Sequence, residues 1–145
     1  MENTYSDSAV ILTKVRKCFE AILSNSKVIA VYIFGSQVKS HSKDTSDIDI
    51  AVLFDETAYK NDPISTSALA YLAATRAGLA TAFKTDVTIL NTASLEIAYE
   101  VITSGICLVE TDEEKRITYE IAIKGLYFDF KPFLEGIRSE HIASL

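Results

Sequence analysis

VIAVYIFGSQVKSHSKDTSDIDIAVLF, residues 28–54, decides the fold. Its first seven residues are almost wholly apolar and rich in β-branched and aromatic side chains, the pattern of a strand buried on both faces. The run stops at Gly35-Ser36, where glycine lets the backbone turn sharply and leaves room for a ligand against the main chain. Residues 37–46 are polar except for Val38 and cannot continue a core strand. Residues 47–54 return to the strand pattern and open on Asp47-Ile48-Asp49.

The spacing of the two acids carries the chemistry. Alternate side chains of a strand point the same way. Asp47 and Asp49 therefore share one face, and Ile48 and Ile50 take the other, toward the core. Neighbouring carboxylates repel unless a positive charge lies between them. Mg²⁺ suits such a pair, being hard and commonly held by one or two carboxylates together with substrate phosphates. The Gly35-Ser36 turn offers backbone N–H groups and a hydroxyl of the kind that suit phosphate oxygens. A phosphate cradle beside an acid pair points to phosphoryl or nucleotidyl transfer. The bland alternative is a plain turn followed by an edge strand, but the two features at this spacing, each flanked by a strand, are far more specific together than either alone.

Gly35-Ser36, ten residues, then Asp47-Ile48-Asp49 resembles the signature of the nucleotidyltransferase superfamily related to DNA polymerase β. The short chain and terse motif are most similar to the minimal nucleotidyltransferases, the antitoxins of pairs whose toxin is a HEPN protein. The resemblance is strongest over residues 28–90. The family often has an arginine after the serine and a glycine a few residues on, where this chain has Gln37 and Ser40, with Lys39 as the nearby base.

The resemblance implies an α/β (α+β) fold: a small mixed sheet of about four strands, helices mainly on one side, and a helical C-terminal tail. It implies a third carboxylate on the strand next to the Asp-x-Asp strand, and Asp86 in the run DVTIL is the match. It implies two Mg²⁺ ions held by Asp47, Asp49 and Asp86, ATP as substrate, and phosphate contacts from Gly35, Ser36 and Lys39. The implied activity is transfer of AMP to a hydroxyl, with a tyrosine the expected acceptor, on a cognate HEPN ribonuclease toxin. Two other functions fit the same residues. One is a non-catalytic antitoxin that blocks its partner sterically. The other is transfer to a small molecule such as an aminoglycoside, although such enzymes usually carry a larger second domain for the acceptor.

Composition bounds these readings. At 145 residues the chain is expected to be one nucleotidyltransferase domain, with a core over about 8–110 and a tail over about 111–145. Apolar residues make up 48% and charged residues 23%, which is ordinary for a globular protein. A net charge of −6 argues against stable nucleic-acid binding, which rests on neutralising phosphates. No run is long and apolar enough to span a membrane, and the N-terminus lacks the basic-then-apolar pattern of a secretory signal. Cys18 and Cys107 stand apart in apolar surroundings and read as buried free thiols. A cytoplasmic location is expected.

The remaining periodicity predicts helices over 8–24, 64–80 and 94–104, strands over 86–90 and 106–110, and a polar linker over 55–63. In the second helix Ile64, Ala68, Leu69, Leu72 and Leu79 are the expected buried stripe. A last helix should open at Thr111 or Asp112 and run to about Phe130, with Pro132 breaking or kinking it. Asp55 and Glu56 read as surface residues at a strand end. The tail has more large apolar side chains than one helix face can easily bury, so it either folds back on the domain or forms a partner surface.

Overall fold

The computed structural model describes residues 4–23, 27–35 and 47–143. The elements run α1 (Thr4–Leu23), β1 (Val28–Phe34), β2 (Ile48–Phe54), α2 (Glu56–Asn61), α3 (Pro63–Thr81), β3 (Thr85–Ile89), α4 (Leu95–Ser104), β4 (Ile106–Glu110) and α5 (Glu113–Ala143). The four strands form one mixed sheet in the order β3-β2-β1-β4. β1 is antiparallel to both neighbours, and β2 and β3 are parallel. β1 sits in the interior of the sheet and is buried along nearly its whole length, as its unbroken apolar sequence requires.

Strand alternation sorts the core into two layers. Val31 and Ile33 of β1 and Ile48, Ile50, Val52 and Phe54 of β2 face α1 and α3, meeting Val15, Phe19 and the alanines of α3. Tyr32 of β1 and Ala51 and Leu53 of β2 face the other way, under Ala98, Val101 and Ile102 of α4 and Tyr119 and Ile123 of α5. Helices thus cover both faces, where the expectation was mainly one. α4 and the tail supply the difference: α4 packs on the second face, and α5 folds back over it through Tyr119 and Ile123.

Other local expectations shift for identifiable reasons. The buried face of α3 is Ala70, Ala73, Ala74 and Ala77, whereas Ile64 and Leu79 are 84% and 81% exposed. The helix is apolar nearly all round, so periodicity does not choose its face, and alanines let it lie close to the sheet. The expected linker holds α2, capped by Asp55, whose Oδ2 accepts the Ala58 N–H at 3.1 Å. Asp62 caps α3, accepting the Ser65 N–H at 3.2 Å, with Pro63 in the first turn where its missing donor costs nothing. Pro132 lies inside α5 without ending it. Cys18 is half-buried, and Cys107, on the outer strand β4, is exposed rather than buried; both are free. No helix among the described residues is long and apolar enough to cross a membrane.

Two side-chain clamps fix the sheet's ends. Asn91, just after β3, accepts the Phe54 N–H and donates to the Phe54 carbonyl, each at 2.9 Å. Thr85 at the start of β3 donates its hydroxyl to the Ala74 carbonyl at 3.0 Å. β2 and β3 are therefore locked in the register that places Asp49 opposite Asp86.

Candidate active site

The acids gather where β1 ends and β2 and β3 begin. Asp49 is the Cα partner of Phe34 on one side and of Asp86 on the other. Ile48 and Ile50 are almost fully buried on the α1 and α3 side, so the alternation turns Asp49 toward the α4 side, as the Asp-x-Asp reading requires. Asp47, immediately before β2, stands close enough to Asp86 to be the main cause of its raised pKa. All three predicted carboxylates therefore lie at one end of the sheet.

Gly35 completes the end of β1. Its φ of 92° is in the left-handed region, and a Cβ there would collide with Oδ2 of Asp49. Glycine is needed twice over, for the backbone conformation and for the approach of the carboxylate. Ser36 and Lys39 fall outside the described residues, as does His41.

The electrostatics follow from this crowding. Asp49 is held above the usual carboxylate range, first by burial and then by Asp86, Asp47 and Glu100. Asp86 is also raised, chiefly by the nearness of Asp47 and opposed by Lys84. Two carboxyl groups this close favour a proton between them, a place that a cation can take instead.

Among the described residues no three histidine, cysteine or acidic side chains are drawn together tightly enough to chelate an ion as they stand. The chemistry of the donors nevertheless fits a hard divalent cation: all three are carboxylates, they repel one another, and they stand beside a backbone turn. Glu100, on the exposed side of α4, is the acid that sequence reasoning missed. It lies far from the motif along the chain and sits in an ordinary amphipathic helix, so no local signal marks it.

Asp55 and Glu56 lie at the other end of the sheet, away from these carboxylates, as expected. Asp55 pairs with Lys115 at 2.8 Å, and Glu56 pairs with Lys60 at 2.9 Å.

Comparison with known proteins agrees with this geometry. Residues 16–114 match the profile of the family described as Polymerase beta, Nucleotidyltransferase. No curated protein sequence matches the chain. Among solved structures, a toxin–antitoxin with AMP-PNP is similar at 22% identity, with 90% of this chain and 98% of that one covered and a TM-score of 0.67. The toxin–antitoxin MntA–HepT is similar at 23% identity over 92% and 98% of the two chains, with a TM-score of 0.66. A tri-AMPylated Shewanella oneidensis HEPN toxin in complex with MNT antitoxin is similar at 22% identity over 93% and 98%, with a TM-score of 0.64. At these identities the likeness establishes a shared fold, and it is the one that the motif implied.

Proposed function

This chain belongs to the polymerase β-type nucleotidyltransferase family, and on that footing we propose that it transfers AMP from ATP to a hydroxyl of a protein partner. The partner is a cognate HEPN ribonuclease toxin, the acceptor a tyrosine, and the outcome neutralisation of the toxin in the cytoplasm. The observation that carries this reading is the convergence of Asp47, Asp49 and Asp86 beside the left-handed Gly35. The names of the similar structures, a toxin–antitoxin with AMP-PNP and an AMPylated HEPN toxin with its MNT antitoxin, support the choice of nucleotide and partner.

Asp47, Asp49 and Asp86 would hold Mg²⁺, two ions in the full site, which would neutralise triphosphate charge and stabilise the pyrophosphate leaving group. The Gly35 backbone, together with Ser36 and Lys39 of the adjoining loop, would hold the terminal phosphates. The acceptor oxygen attacks the α-phosphorus, its bond to pyrophosphate breaks, and AMP stays on the acceptor. Asp86, the exposed member of the set, would take the acceptor's proton. Asp49, pinned between Gly35 and its neighbouring strands, fixes the geometry. We assign the whole chain to one nucleotidyltransferase unit, with α5 as its tail.

A steric antitoxin that needs no chemistry is the second reading, favoured by the exposed apolar side chains of α5. Intact mass spectrometry of the co-expressed HEPN partner separates the two. AMP-sized mass gains with the unaltered chain, absent with Asp47→Ala/Asp49→Ala, are expected. No gain with either form, while the partner stays bound and silent, would overturn the catalytic reading.

A further inference from the structure

α4 and α5 run side by side toward the carboxylate end. α4 starts beyond Leu90, whose N–H donates to the Val52 carbonyl at the far end of the sheet. It finishes at Gly105, where a Cβ would lie 3.1 Å from the Ile33 carbonyl oxygen and 3.3 Å from the Phe34 Cβ, next to the site. α5 also starts at the far end, where the Thr111 N–H donates to the Ile29 carbonyl and Lys115 reaches Asp55.

The two helices meet again at Tyr99 and Tyr127, whose rings stack 3.7 Å apart and within 4° of parallel. Tyr99 adjoins Glu100, the acid that acts on Asp49. By Tyr127, α5 has thus come level with the middle of α4, six residues short of Gly105, and it continues to Ala143, about 24 Å further at 1.5 Å per residue and so past the active-site end.

The face of α5 that packs on the body does not stop there. Arg116, Tyr119, Glu120, Ile123, Tyr127 and Leu134 are its part-buried residues, and Tyr119, Ile123 and Tyr127 stand at helical steps of four. Steps of three and four lead on to Phe130, Leu134 and Ile137. Phe130 is 46% exposed, Ile137 48%, and Phe133 beside them 64%. The apolar stripe is therefore covered by the sheet and α4 at Tyr119, Ile123 and Tyr127 and, Leu134 apart, exposed beyond them, on the side of the sheet toward which Asp49 turns.

We propose that the second half of α5 is the docking arm for the protein acceptor, with Phe130, Phe133 and Ile137 seating an apolar surface of the molecule whose hydroxyl is modified. This rests on the reading that the chain transfers AMP to a protein. Place and chemistry select the occupant. The exposed stripe lies on the face toward which Asp49 turns and runs on past the carboxylate end, so a molecule that covers it can also reach the site. Aromatic and aliphatic groups do not match a triphosphate or a polar small acceptor, whereas a protein surface with its own apolar patch does. The stripe's bare part spans about 10 Å of helix from Phe130 to Ile137, the scale of a helix laid against a partner.

The test uses the full chain and its HEPN partner, with Phe130→Ser/Phe133→Ser/Ile137→Ser compared with Ile117→Ser/Ile121→Ser, exposed residues nearer the far end. Partner binding by calorimetry and AMP transfer by mass spectrometry are read separately. The arm variant should bind the partner at least tenfold more weakly and raise the acceptor KM to match, with kcat at saturation and Mg²⁺-ATP binding within about twofold of the unaltered chain. The control variant should change neither. Unchanged partner affinity in the arm variant would overturn the docking arm, as would loss of Mg²⁺-ATP binding or an unaltered chain that self-associates through these residues. Failure of the parent reading looks different: the unaltered chain would then leave the partner's mass unchanged.

Discussion

The two ends of the sheet treat the same residue type in opposite ways. At the far end most acids have an answering partner. Asp55 caps α2 and pairs with Lys115, and Asp112 accepts the Lys115 N–H in the first turn of α5 at 3.1 Å. Glu110 and Glu120 both pair with Arg116. The shallow cavity of about 380 Å³ there is lined by Lys27 and Lys115 against Asp55 and Asp112, a balanced set. At the near end Asp47, Asp49 and Asp86 face one another, with Glu100 adding a further negative charge and, among the described residues, Lys84 opposing. Asp55 is held below the usual carboxylate range, first by its hydrogen bond from Lys115, while Asp49 is held above it. Acids serving structure are paired; acids left to repel mark a place for something positive that the chain itself does not provide.

The largest effect expected from breaking this contrast is on chemistry. Asp49→Asn should lower AMP transfer by about a thousandfold, yet leave thermal stability unchanged or raise it by a few tenths of a kcal/mol, because it relieves a solvent-screened repulsion. Transfer rate and melting temperature, measured together, check both halves. Loss of stability would show that Asp49 is structural after all. Gly35→Ala should fail on both counts. The positive φ and the collision with Asp49 should cost roughly 1–3 kcal/mol, read by chemical denaturation, with transfer falling as Asp49 is displaced.

Changes at the far end should touch stability alone. Arg116→Met leaves Glu110 and Glu120 facing each other without their shared cation and should cost about 1–2 kcal/mol, with AMP transfer intact.

Lys115→Ala gives the smallest effect, the loss of one exposed and solvent-screened pair, best seen in its pH dependence. Because the folded Asp55 titrates below its unfolded value, its contribution is present above the unfolded pKa and fades as pH falls through the folded one. Lys115→Ala should flatten that acid limb. The raised Asp49 and Asp86 have the opposite sign: acid pH relieves them, so they favour the fold as pH drops.

Much of this contrast could be read in the sequence, for reasons that also explain what could not. β1 and β2 declare themselves through β-branched residues and the period of two. That period alone puts Asp49 on the face opposite Ile48 and Ile50, where the structure has it. Asp86 came from a likeness between strands, and the parallel register with Asp49 bears out its position. Helix faces were harder. α3 buries alanines and exposes Ile64 and Leu79, because close approach to the sheet selects small side chains from a helix that is apolar all round.

Pro132 was expected to break or kink the last helix. It lies in the bare half of α5 without ending it, where solvent can satisfy the carbonyl left without a donor. Glu100 was out of reach because its neighbours in space, Asp49 and Asp86, are distant in sequence and joined to it only by the fold.

The central claim is that the near-end acids are kept apart for a cation that brings a nucleotide. Calorimetry of a non-hydrolysable ATP analogue, with and without Mg²⁺, on the unaltered chain and on Asp47→Ala/Asp49→Ala tests it most directly. The account predicts binding by the unaltered chain only when Mg²⁺ is present, and none by the double variant in either condition. Binding that is indifferent to Mg²⁺, or that survives removal of both aspartates, would contradict it.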